Sequence, residues 1–305
     1  MREKPHAAPG QHEHQEQHPQ PTEAREWMPL VTALVPTYNG AAFIRRTLDS
    51  LAIQTWPRLE ILVGDDRSTD DTLDVVRAFA ADHPNTRIIA RDHNLGWLRN
   101  SNDLMARADG ELMFFAFHDD VVAPTYVERL VSALGANERA VLAFSDMEVH
   151  ELDGTAALHV FDELEGLETP LERGRVMVRR PGNWWVPNRG LFRSSAFAEV
   201  GGIHPNEQGE YSADWTWLLG LSFIGEFVRV PEVLCTKYYM AGSISKRWPH
   251  DATQLLALRR SGLAEIERSS LRRREKFLLA GFLWRRVYGR RLPGGVKRVL
   301  RRLGL

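Results

Sequence analysis

The stretch that decides the fold is LEILVGDD at residues 59–66, an apolar run that ends in two adjacent aspartates. A second run, LMFFAFHDD at residues 112–120, ends in the same way. Short runs rich in Ile, Leu, Val and Phe predict buried strands of a parallel sheet. Open α/β sheets bind ligands in the crevice beyond the carboxyl ends of their strands. The two pairs of carboxylates therefore indicate a ligand site at one edge of a sheet.

Strand-like and helix-like segments alternate around these two runs. The predicted strands are residues 31–36, 59–63, 87–90 and 111–117. The helices between them carry Ile44, Leu48 and Leu51 on one face, then Leu73, Val76 and Phe79, and then span residues 97–108. Repeated βα winding of this kind predicts an α/β fold with a Rossmann-like, mostly parallel central sheet and helices on both faces.

The pattern loosens after Asp146. Residues 150–190 are rich in Gly, Pro and charge, which predicts long loops that shape a cleft. Helices are expected near residues 194–200 and 214–223, and a strand at 226–239. We interpret residues 29–146 as a nucleotide-binding half, 147–245 as an acceptor half and 246–305 as a C-terminal segment.

Composition limits the class of protein. The chain has 305 residues, and 43% hydrophobic with 26% charged residues is ordinary for a soluble protein with a substantial core. Cys235 is its single cysteine, which excludes an intrachain disulfide and suggests a buried thiol in a reducing compartment. No stretch approaches the ~20 apolar residues of a spanning helix, and the N-terminus lacks a signal-peptide core. We therefore expect a cytoplasmic protein.

The first 28 residues are crowded with Gln, Glu, His and Pro and have no apolar periodicity, so we expect a disordered tail. Its histidines could chelate a metal, but we interpret them as solvated and give them no role: His6, His12, His14 and His18.

The acids after the second strand have a structural and a functional interpretation. Ser68 followed by Asp71 resembles a helix capping box, and we assign Ser68, Asp70 and Asp71 to that role. Asp66 lies ahead of the cap and is free to accept hydrogen bonds from a nucleobase or ribose. The segment VPTYNG at residues 35–40 ends the first strand in a turn at the same sheet edge.

Asp119 and Asp120 are harder to explain structurally. Adjacent carboxylates repel, so a cation or an array of donors must compensate them at a strand end. Mg²⁺ or Mn²⁺ prefers oxygen ligands and is commonly held by one or two carboxylates together with substrate phosphates. The pair therefore indicates a metal and a diphosphate ligand.

An ordered series of motifs resembles the family-2 glycosyltransferases of the GT-A fold. The series is VPTYN at residues 35–39, DDRSTD at 65–70, NLG at 94–96 with Asn102, and HDD at 118–120. The resemblance extends from residue 31 to about 245, and we place the glycosyltransferase domain at 29–245.

The resemblance implies a role for each matching position. The nucleotide-sugar donor would be bound by Pro36, Thr37, Tyr38, Asp66 and Asp119. Asp119 and Asp120 would hold Mg²⁺ or Mn²⁺ against the diphosphate. Asp214, in EYSADW at residues 210–215, matches the family's catalytic base, with Ala213 where a glutamate is common. A base opposite the leaving diphosphate implies an inverting reaction. Without the upstream motifs, Asp214 would read as a helix cap.

Two positions depart from the family pattern. Phe117 stands where the first aspartate of Asp-x-Asp is usual, and Met240 replaces the histidine of a later His-Pro-Gly-Ser motif. We therefore expect weaker metal binding, with His118 neutral.

Aromatic and basic residues of the second half could serve the acceptor. Trp184 and Trp185 could stack on a sugar, although core packing is expected for at least one of them. Of Trp215 and Trp217, at least one should be core. Arg193 resembles the family's basic position before a helix, from which it could reach an anionic acceptor or the diphosphate.

The C-terminal segment is strongly basic. Residues 271–305 hold twelve Lys and Arg against the single acid Glu275, while the rest of the chain has 27 basic and 39 acidic residues. Phe277, Leu278, Phe282, Leu283 and Trp284 stand beside basic pairs, as in helices that lie on anionic lipid. Because the acceptors of such enzymes are often lipid-linked, we favour peripheral contact with the inner membrane face over a nucleic-acid arm or a solvated tail.

The leading hypothesis is an inverting, metal-assisted hexosyltransferase that uses a nucleotide diphosphate sugar and a glycan or lipid-linked acceptor in cell-surface polysaccharide synthesis. No nucleic acid partner is expected. The alternatives are a nucleotide-sugar-binding protein without turnover, suggested by Phe117, Ala213 and Met240, and a sugar nucleotidyltransferase. The latter should have a Gly-rich basic loop after the first strand, which residues 36–40 do not provide.

Overall fold

A computed structural model describes residues 27–180, 182–239 and 248–288, with side chains described to residue 284. Its strands are β1 (Val31–Thr37), β2 (Leu59–Asp65), β3 (Thr86–Ala90), β4 (Leu112–Phe115), β5 (Asp120–Val122), β6 (Ala140–His150), β7 (Ala156–His159), β8 (Leu191–Arg193) and β9 (Glu226–Tyr238). Its helices are α1 (Ile44–Ala52), α2 (Thr72–Asp82), α3 (Trp97–Arg107), α4 (Tyr126–Gly135), α5 (Pro170–Arg179), α6 (Ser194–Val200), α7 (Ala213–Ile224), α8 (Ala252–Arg268) and α9 (Arg273–Tyr288), with a 3-10 helix at Val186–Arg189.

The first half confirms the predicted βα winding. β1 lies between β2 and β4 and is parallel to both, and β3 continues the parallel order beyond β2. Every residue of β1 is buried, which explains why its sequence is mostly apolar. Thr37 is in register with Asp65, so the carboxyl ends of β1 and β2 meet at one edge. The strand ends that carry the acids are therefore neighbours.

The sheet continues into the second half without a break at residue 146. Its order is β3-β2-β1-β4-β8-β6-β9-β5, with β7 paired to β6. β8 joins β4 and β6 in antiparallel pairing, whereas the long β6–β9 ladder is parallel. β5 pairs antiparallel with β9 and places Asp120 opposite Lys237. The mixed part of the sheet thus brings β9 next to the second pair of acids.

The expectation of loops throughout residues 150–190 is wrong, because this stretch contains β7 and α5. α5 has a capping box: the Thr169 hydroxyl accepts from the backbone N–H of Glu172, and the Glu172 carboxylate accepts from that of Thr169. Pro170 occupies the first turn, where a proline is tolerated. The signal was therefore present in the sequence.

A layer of helices covers the second half. α7 is buried on nearly all sides and packs against α5 and α8, while α9 packs against α5 and α8. Trp215 and Trp217 are both core residues, and the Trp215 Nε1–H donates to the carbonyl of Met177 at 2.9 Å. Leu279 and Leu283 of α9 are buried, so this helix is docked on the domain.

Cys235 is a buried free thiol, as expected. Across the ranges given above, none of the helices has the length and apolar character needed to cross a membrane. The predictions for the N-terminal tail to residue 26, for Met240 and for residues 289–305 lie outside the described residues.

Candidate functional site

Asp66 follows β2 and is almost fully buried. Its carboxylate accepts hydrogen bonds from the backbone N–H groups of Leu95 at 2.7 Å and Gly96 at 2.9 Å. Asp66 therefore holds the 94–96 loop against the end of β2, a role that sequence reasoning missed. A carboxylate can accept about four hydrogen bonds, so these two do not use its full capacity.

The loop after β2 does not form the expected capping box. Asp71 occupies the N-cap of α2 without a side-chain hydrogen bond, and the Ser68 hydroxyl instead accepts from the backbone N–H of Asn39 at 2.9 Å. Asp70 accepts from the N–H groups of Ala41 at 3.2 Å and Thr72 at 3.1 Å, which together with the Thr72 hydroxyl lower its pKa against the effect of burial. The acidic loop thus ties β1 to α2 across the sheet edge.

The predicted nucleotide residues of β1 lie at this edge. Pro36 and Thr37 are buried at the end of the strand, and the Asp66 N–H donates to the Thr37 carbonyl at 2.9 Å. Tyr38 is exposed at the start of the following turn. Among Pro36, Thr37 and Tyr38, it is Tyr38 that presents an exposed side chain.

A link joins Asp66 to the loop before α7. The backbone N–H of Leu98 donates to Glu210 Oε1 at 3.2 Å, and a Cβ on Gly96 would come within 2.7 Å of the same oxygen. Burial raises the pKa of Glu210, and the charge of Asp66 adds to the effect. Glu210 precedes Asp214 by four residues, so the 94–96 loop connects the β2 acids with the start of α7.

Asp119 and Asp120 each contact a buried cation. Lys237 Nζ forms an ion pair with Asp119 Oδ2 and lies 3.8 Å from Asp120 Oδ1. Arg189 Nε donates to Asp120 Oδ2 at 3.0 Å. The Asp119 side chain is 12% exposed and that of Asp120 is 1% exposed. Asp119 is therefore partly accessible, whereas Asp120 is enclosed.

Charge and burial compete at these two carboxylates. Burial disfavours an ionised Asp119, but the Lys237 ammonium and the Arg189 guanidinium outweigh it and lower the pKa of Asp119. Burial raises the pKa of Asp120, and the same two cations oppose the rise. Asp120 in turn raises the pKa of Arg189 against the effect of burial. The four groups form one coupled ionic cluster.

Asp214 is joined to this cluster by consecutive residues of the 3-10 helix. Asn188 Nδ2 donates to Asp214 Oδ2 at 3.2 Å, and Arg189 is the next residue in the chain. Burial raises the pKa of Asp214, and the charges of Arg189 and Arg180 oppose it. A partly buried carboxylate with a raised pKa is suited to proton transfer. Sequence reasoning found Asp214 but missed Asn188 and Arg189.

An open groove of about 380 Å³ includes Tyr211, which precedes Asp214 by three residues in the chain. Its lining residues are Arg180, Gly182, Asn183, Trp184, Trp185, Tyr211, His250 and Leu255. Arg180 Cζ is 5.1 Å from the centre of the Trp184 ring and 5.4 Å from that of Trp215. Trp184 and Trp185 are partly buried against the core, so each has one packed side and one side available to the groove.

The structure also shows the contacts of two further basic residues, His118 and Arg193. Burial lowers the pKa of His118, as expected for a neutral imidazole, and its Nδ1 lies 3.3 Å from the Thr37 hydroxyl. The proposed contact of Arg193 with a ligand is wrong. Its guanidinium donates to the carbonyls of Ala140 at 2.8 Å and Leu134 at 3.0 Å, and so fastens β8 to α4 and β6.

The family model for glycosyl transferase family 2 matches residues 32–181, which contain β1 to α5 and the whole acidic sheet edge. This chain is a member of glycosyl transferase family 2. A putative teichuronic acid biosynthesis glycosyltransferase, TuaG of Bacillus subtilis, is 26% identical over 129 residues, which are 42% of this chain and 51% of TuaG. The family-2 chain spans between a fifth and about half of the length of the first curated relatives it matches.

Solved structures share the fold of this family-2 chain. S. aureus TarS 1-349, in complex with UDP-GlcNAc, superposes with a TM-score of 0.67 at 17% identity and covers 85% of this chain and 72% of TarS 1-349. The mannosyltransferase PcManGT of Pyrobaculum calidifontis, with GDP-Man and Mn²⁺, has a TM-score of 0.58 at 19% identity over 86% of this chain and 70% of PcManGT. These likenesses establish the GT-A fold.

The family resemblance implies Mg²⁺ or Mn²⁺ at Asp119 and Asp120, and the residues around them test that fit. Both carboxylates are present, and Asp120 Oδ1 is a buried oxygen without a hydrogen-bond partner. However, Lys237 and Arg189 already neutralise the pair. No cluster of three His, Cys, Asp or Glu side chains suited to a metal occurs among residues 27–180, 182–239 and 248–284. The arrangement fits a divalent cation poorly.

Proposed function

We propose that the chain is an inverting glycosyltransferase that moves a sugar from a nucleotide diphosphate sugar to a glycan or lipid-linked acceptor in cell-surface polysaccharide synthesis. One observation carries the proposal: the consecutive residues Asn188 and Arg189 donate hydrogen bonds to Asp214 and Asp120 respectively. A carboxylate base and a diphosphate site must flank the same anomeric carbon in a direct displacement. The family match and the biosynthetic role named for TuaG support this function.

The reaction assigns one task to each side of the site. The acceptor hydroxyl forms a bond to the anomeric carbon and gives its proton to Asp214, a step worth ~10²–10⁴-fold for a positioned base. The bond from the anomeric carbon to the diphosphate breaks, and its electron pair goes to the leaving oxygen. Positive charge near Asp119 and Asp120 stabilises that oxygen more in the transition state than in the ground state.

The donor lies at the sheet edge in this proposal. Tyr38 stacks on or lines the nucleobase, Asp66 accepts from the base or ribose, and Asp119 lies at the ribose and diphosphate, with Pro36 and Thr37 forming the floor. The solved neighbours contain UDP-GlcNAc and GDP-Man, which are both hexosyl donors, and this supports a hexosyltransferase.

The need for a divalent cation is a more detailed prediction than glycosyl transfer itself. The resemblance adds Mg²⁺ or Mn²⁺, and the Mn²⁺ of PcManGT supports it. If a metal binds, Asp119 and Asp120 would hold it and it would supply positive charge to the diphosphate. A metal bound there has to displace Lys237 from Asp119. A nucleotide titration with and without metal decides whether a divalent cation or the Lys237 ammonium occupies this position.

We place the acceptor in the groove lined by Trp184, Trp185 and Tyr211. Aromatic rings beside polar groups suit the apolar faces and hydroxyls of a sugar. Arg180 at the same groove favours an acceptor that carries a carboxylate or phosphate. Substitution of Trp184 by Ala should therefore reduce transfer to an acceptor while leaving nucleotide binding unchanged.

The C-terminal helices give a membrane contact in this proposal. Phe277 and Trp284 are 66% and 42% exposed on α9, and their spacing of seven residues places them on the same face. Leu279 and Leu283, by contrast, are buried against the domain. Peripheral attachment would therefore use the outer face of a docked helix and the basic residues around it, and not a free tail.

Donor turnover tests the function. Purified protein is incubated with a panel of nucleotide diphosphate sugars, and release of the nucleotide is measured with water or an added glycan as acceptor. Release that is abolished in Asp214→Asn, with nucleotide binding retained, supports a transferase. Binding without release by the wild type would favour the nucleotide-sugar-binding protein instead.

A further inference from the structure

Lys237 lies where a metal would be expected. Its ammonium is ion-paired with Asp119 and is 3.8 Å from Asp120, and its side chain is only 9% exposed. Backbone pairing fixes this position, because Asp120 is in register with Lys237 and the Tyr238 N–H donates to the Asp119 carbonyl at 3.0 Å. The lysine is therefore held at the acids by the sheet itself.

The local charges balance without a metal. Asp119 and Asp120 carry two formal negative charges, and Lys237 with Arg189 carry two positive ones. Phe117, two positions before Asp119, adds no carboxylate. A divalent cation entering this cluster would have to displace a buried ammonium, and leaving such a group without its partner costs free energy. The site thus lacks the excess negative charge that draws in Mg²⁺ or Mn²⁺.

Lys237 also has hydrogen-bonding capacity left for a phosphate. An ammonium has three N–H donors. One is used on Asp119, and the distance to Asp120 Oδ1 is longer than a hydrogen bond. Within the described ranges no further acceptor is recorded for Nζ, which lies 5.0 Å from the centre of the Tyr239 ring. Asp119 is the more exposed of the two acids, so the proposed function places the diphosphate beside it and within reach of the ammonium.

We infer that Lys237 takes the place of the divalent cation and contacts the diphosphate of the donor, so that nucleotide binding and transfer do not require a metal. The inference rests on the proposed function. When the bond from the anomeric carbon to the diphosphate oxygen breaks, the electron pair remains on that oxygen, and the ammonium of Lys237 neutralises it. Arg189 remains paired with Asp120. The proton of the acceptor goes to Asp214.

Nucleotide binding tests the inference without the need for an acceptor. UDP and GDP are titrated into wild-type protein by calorimetry, once in excess EDTA and once in Mn²⁺ or Mg²⁺. We expect the affinity for the nucleotide that binds to agree within about twofold between the two conditions, since a metal that is not part of the site changes no contact. This comparison uses the wild type and so does not depend on any variant folding.

Variants then assign the effect to the lysine. Lys237→Gln should weaken binding of the nucleoside diphosphate in EDTA by about tenfold or more, because a charge-assisted hydrogen bond is lost. Binding of the corresponding nucleoside, which has no phosphate, should be unchanged. Lys237→Arg should retain metal-independent binding. Lys276→Gln, which removes a lysine charge on α9, is the matched control and should behave as wild type.

The outcomes separate the inference from the proposed function. Binding that is lost in EDTA and restored by Mn²⁺ in the wild type overturns the inference alone, because Lys237 would then only hold the place of a metal. Equal weakening of nucleoside and nucleoside diphosphate in Lys237→Gln also overturns it, since the lysine would then be structural. Binding of neither UDP nor GDP in any condition contradicts the proposed function as well.

Discussion

Asn188 donates a hydrogen bond to Asp214 over 3.2 Å, and Arg189, the next residue, donates to Asp120 over 3.0 Å. A single turn of 3-10 helix thereby links two acids that are 94 positions apart in the chain. Because the backbone fixes the spacing of Asn188 and Arg189, it also fixes the spacing of the proposed base and the diphosphate site. Such positioning on a short rigid element is what a displacement reaction needs.

Removing the Asn188 amide should disturb the base directly. The hydrogen bond favours the ionised form of Asp214, so Asn188→Ala should raise the pKa of Asp214 further. We expect the acidic limb of the pH–rate profile to move to higher pH and kcat to fall by about tenfold. Asn137→Ala is the control, since the Asn137 amide also donates to a carboxylate, Glu226, outside the site. An unshifted limb in Asn188→Ala would argue against this role.

The wild-type enzyme should lose activity on acidification at a higher pH than an ordinary aspartate would cause. Burial raises the pKa of Asp214 in the folded protein. A general base acts only when it is ionised, so the rate is full above this raised pKa and falls as the pH drops through it. The pH dependence of kcat with saturating donor measures this limb. A rate that is constant down to the ordinary titration range of aspartate would contradict the assignment.

Gly96→Ala should weaken both the fold and nucleotide binding. Gly96 has φ of +83°, and an added Cβ would lie 2.7 Å from Glu210 Oε1. With ψ of 159°, this backbone conformation is one that essentially only glycine adopts, and the strain alone costs about 1–3 kcal/mol in the free energy of unfolding. Gly154→Ala is the matched control, because Gly154 has the same φ and nothing within 4 Å of an added Cβ. We expect only Gly96→Ala to weaken nucleotide binding, measured by calorimetry, because it displaces the loop held by Asp66.

Membrane attachment should depend on the exposed face of α9. We expect the double substitution Phe277→Ser with Trp284→Ser to reduce binding to anionic vesicles by about tenfold or more, since two exposed apolar side chains are lost. Ile53→Ser with Leu158→Ser removes two exposed apolar residues elsewhere and should have no effect. Vesicle sedimentation measures both. Full retention of binding by the α9 variant would contradict the proposed contact.

Local patterns were sufficient to predict the parallel half of the fold. The runs before Asp66 and Asp119 are continuous and apolar because β1, β2 and β4 are buried on both sides, and the predicted strand positions were confirmed to within a few residues. Asp66, Asp119 and Asp120 were identifiable because acids at strand ends stand out against apolar neighbours, whereas Asp214 was identified through the family resemblance. Their roles in catalysis and binding are predictions.

The partners of these acids could not be predicted in the same way. Lys237 meets Asp120, 117 positions away in the chain, through antiparallel strand pairing, and neither strand has a local signal for that partner. Arg189 lies in a short 3-10 helix without periodicity, so the more prominent Arg193 was chosen in error. The helix α5 differs, because Thr169, Pro170 and Glu172 did provide a local signal.

The most direct test of the central claim is nucleotide release from a donor sugar by Asp214→Asn, measured beside binding of the same nucleotide. The claim predicts a loss of turnover of ~10²–10⁴-fold with unchanged nucleotide affinity. Asp74→Asn is the control, because Asp74 occupies the first turn of α2 as Asp214 does in α7, so a purely helical effect would appear in both. Turnover by Asp214→Asn at the wild-type rate would contradict the account.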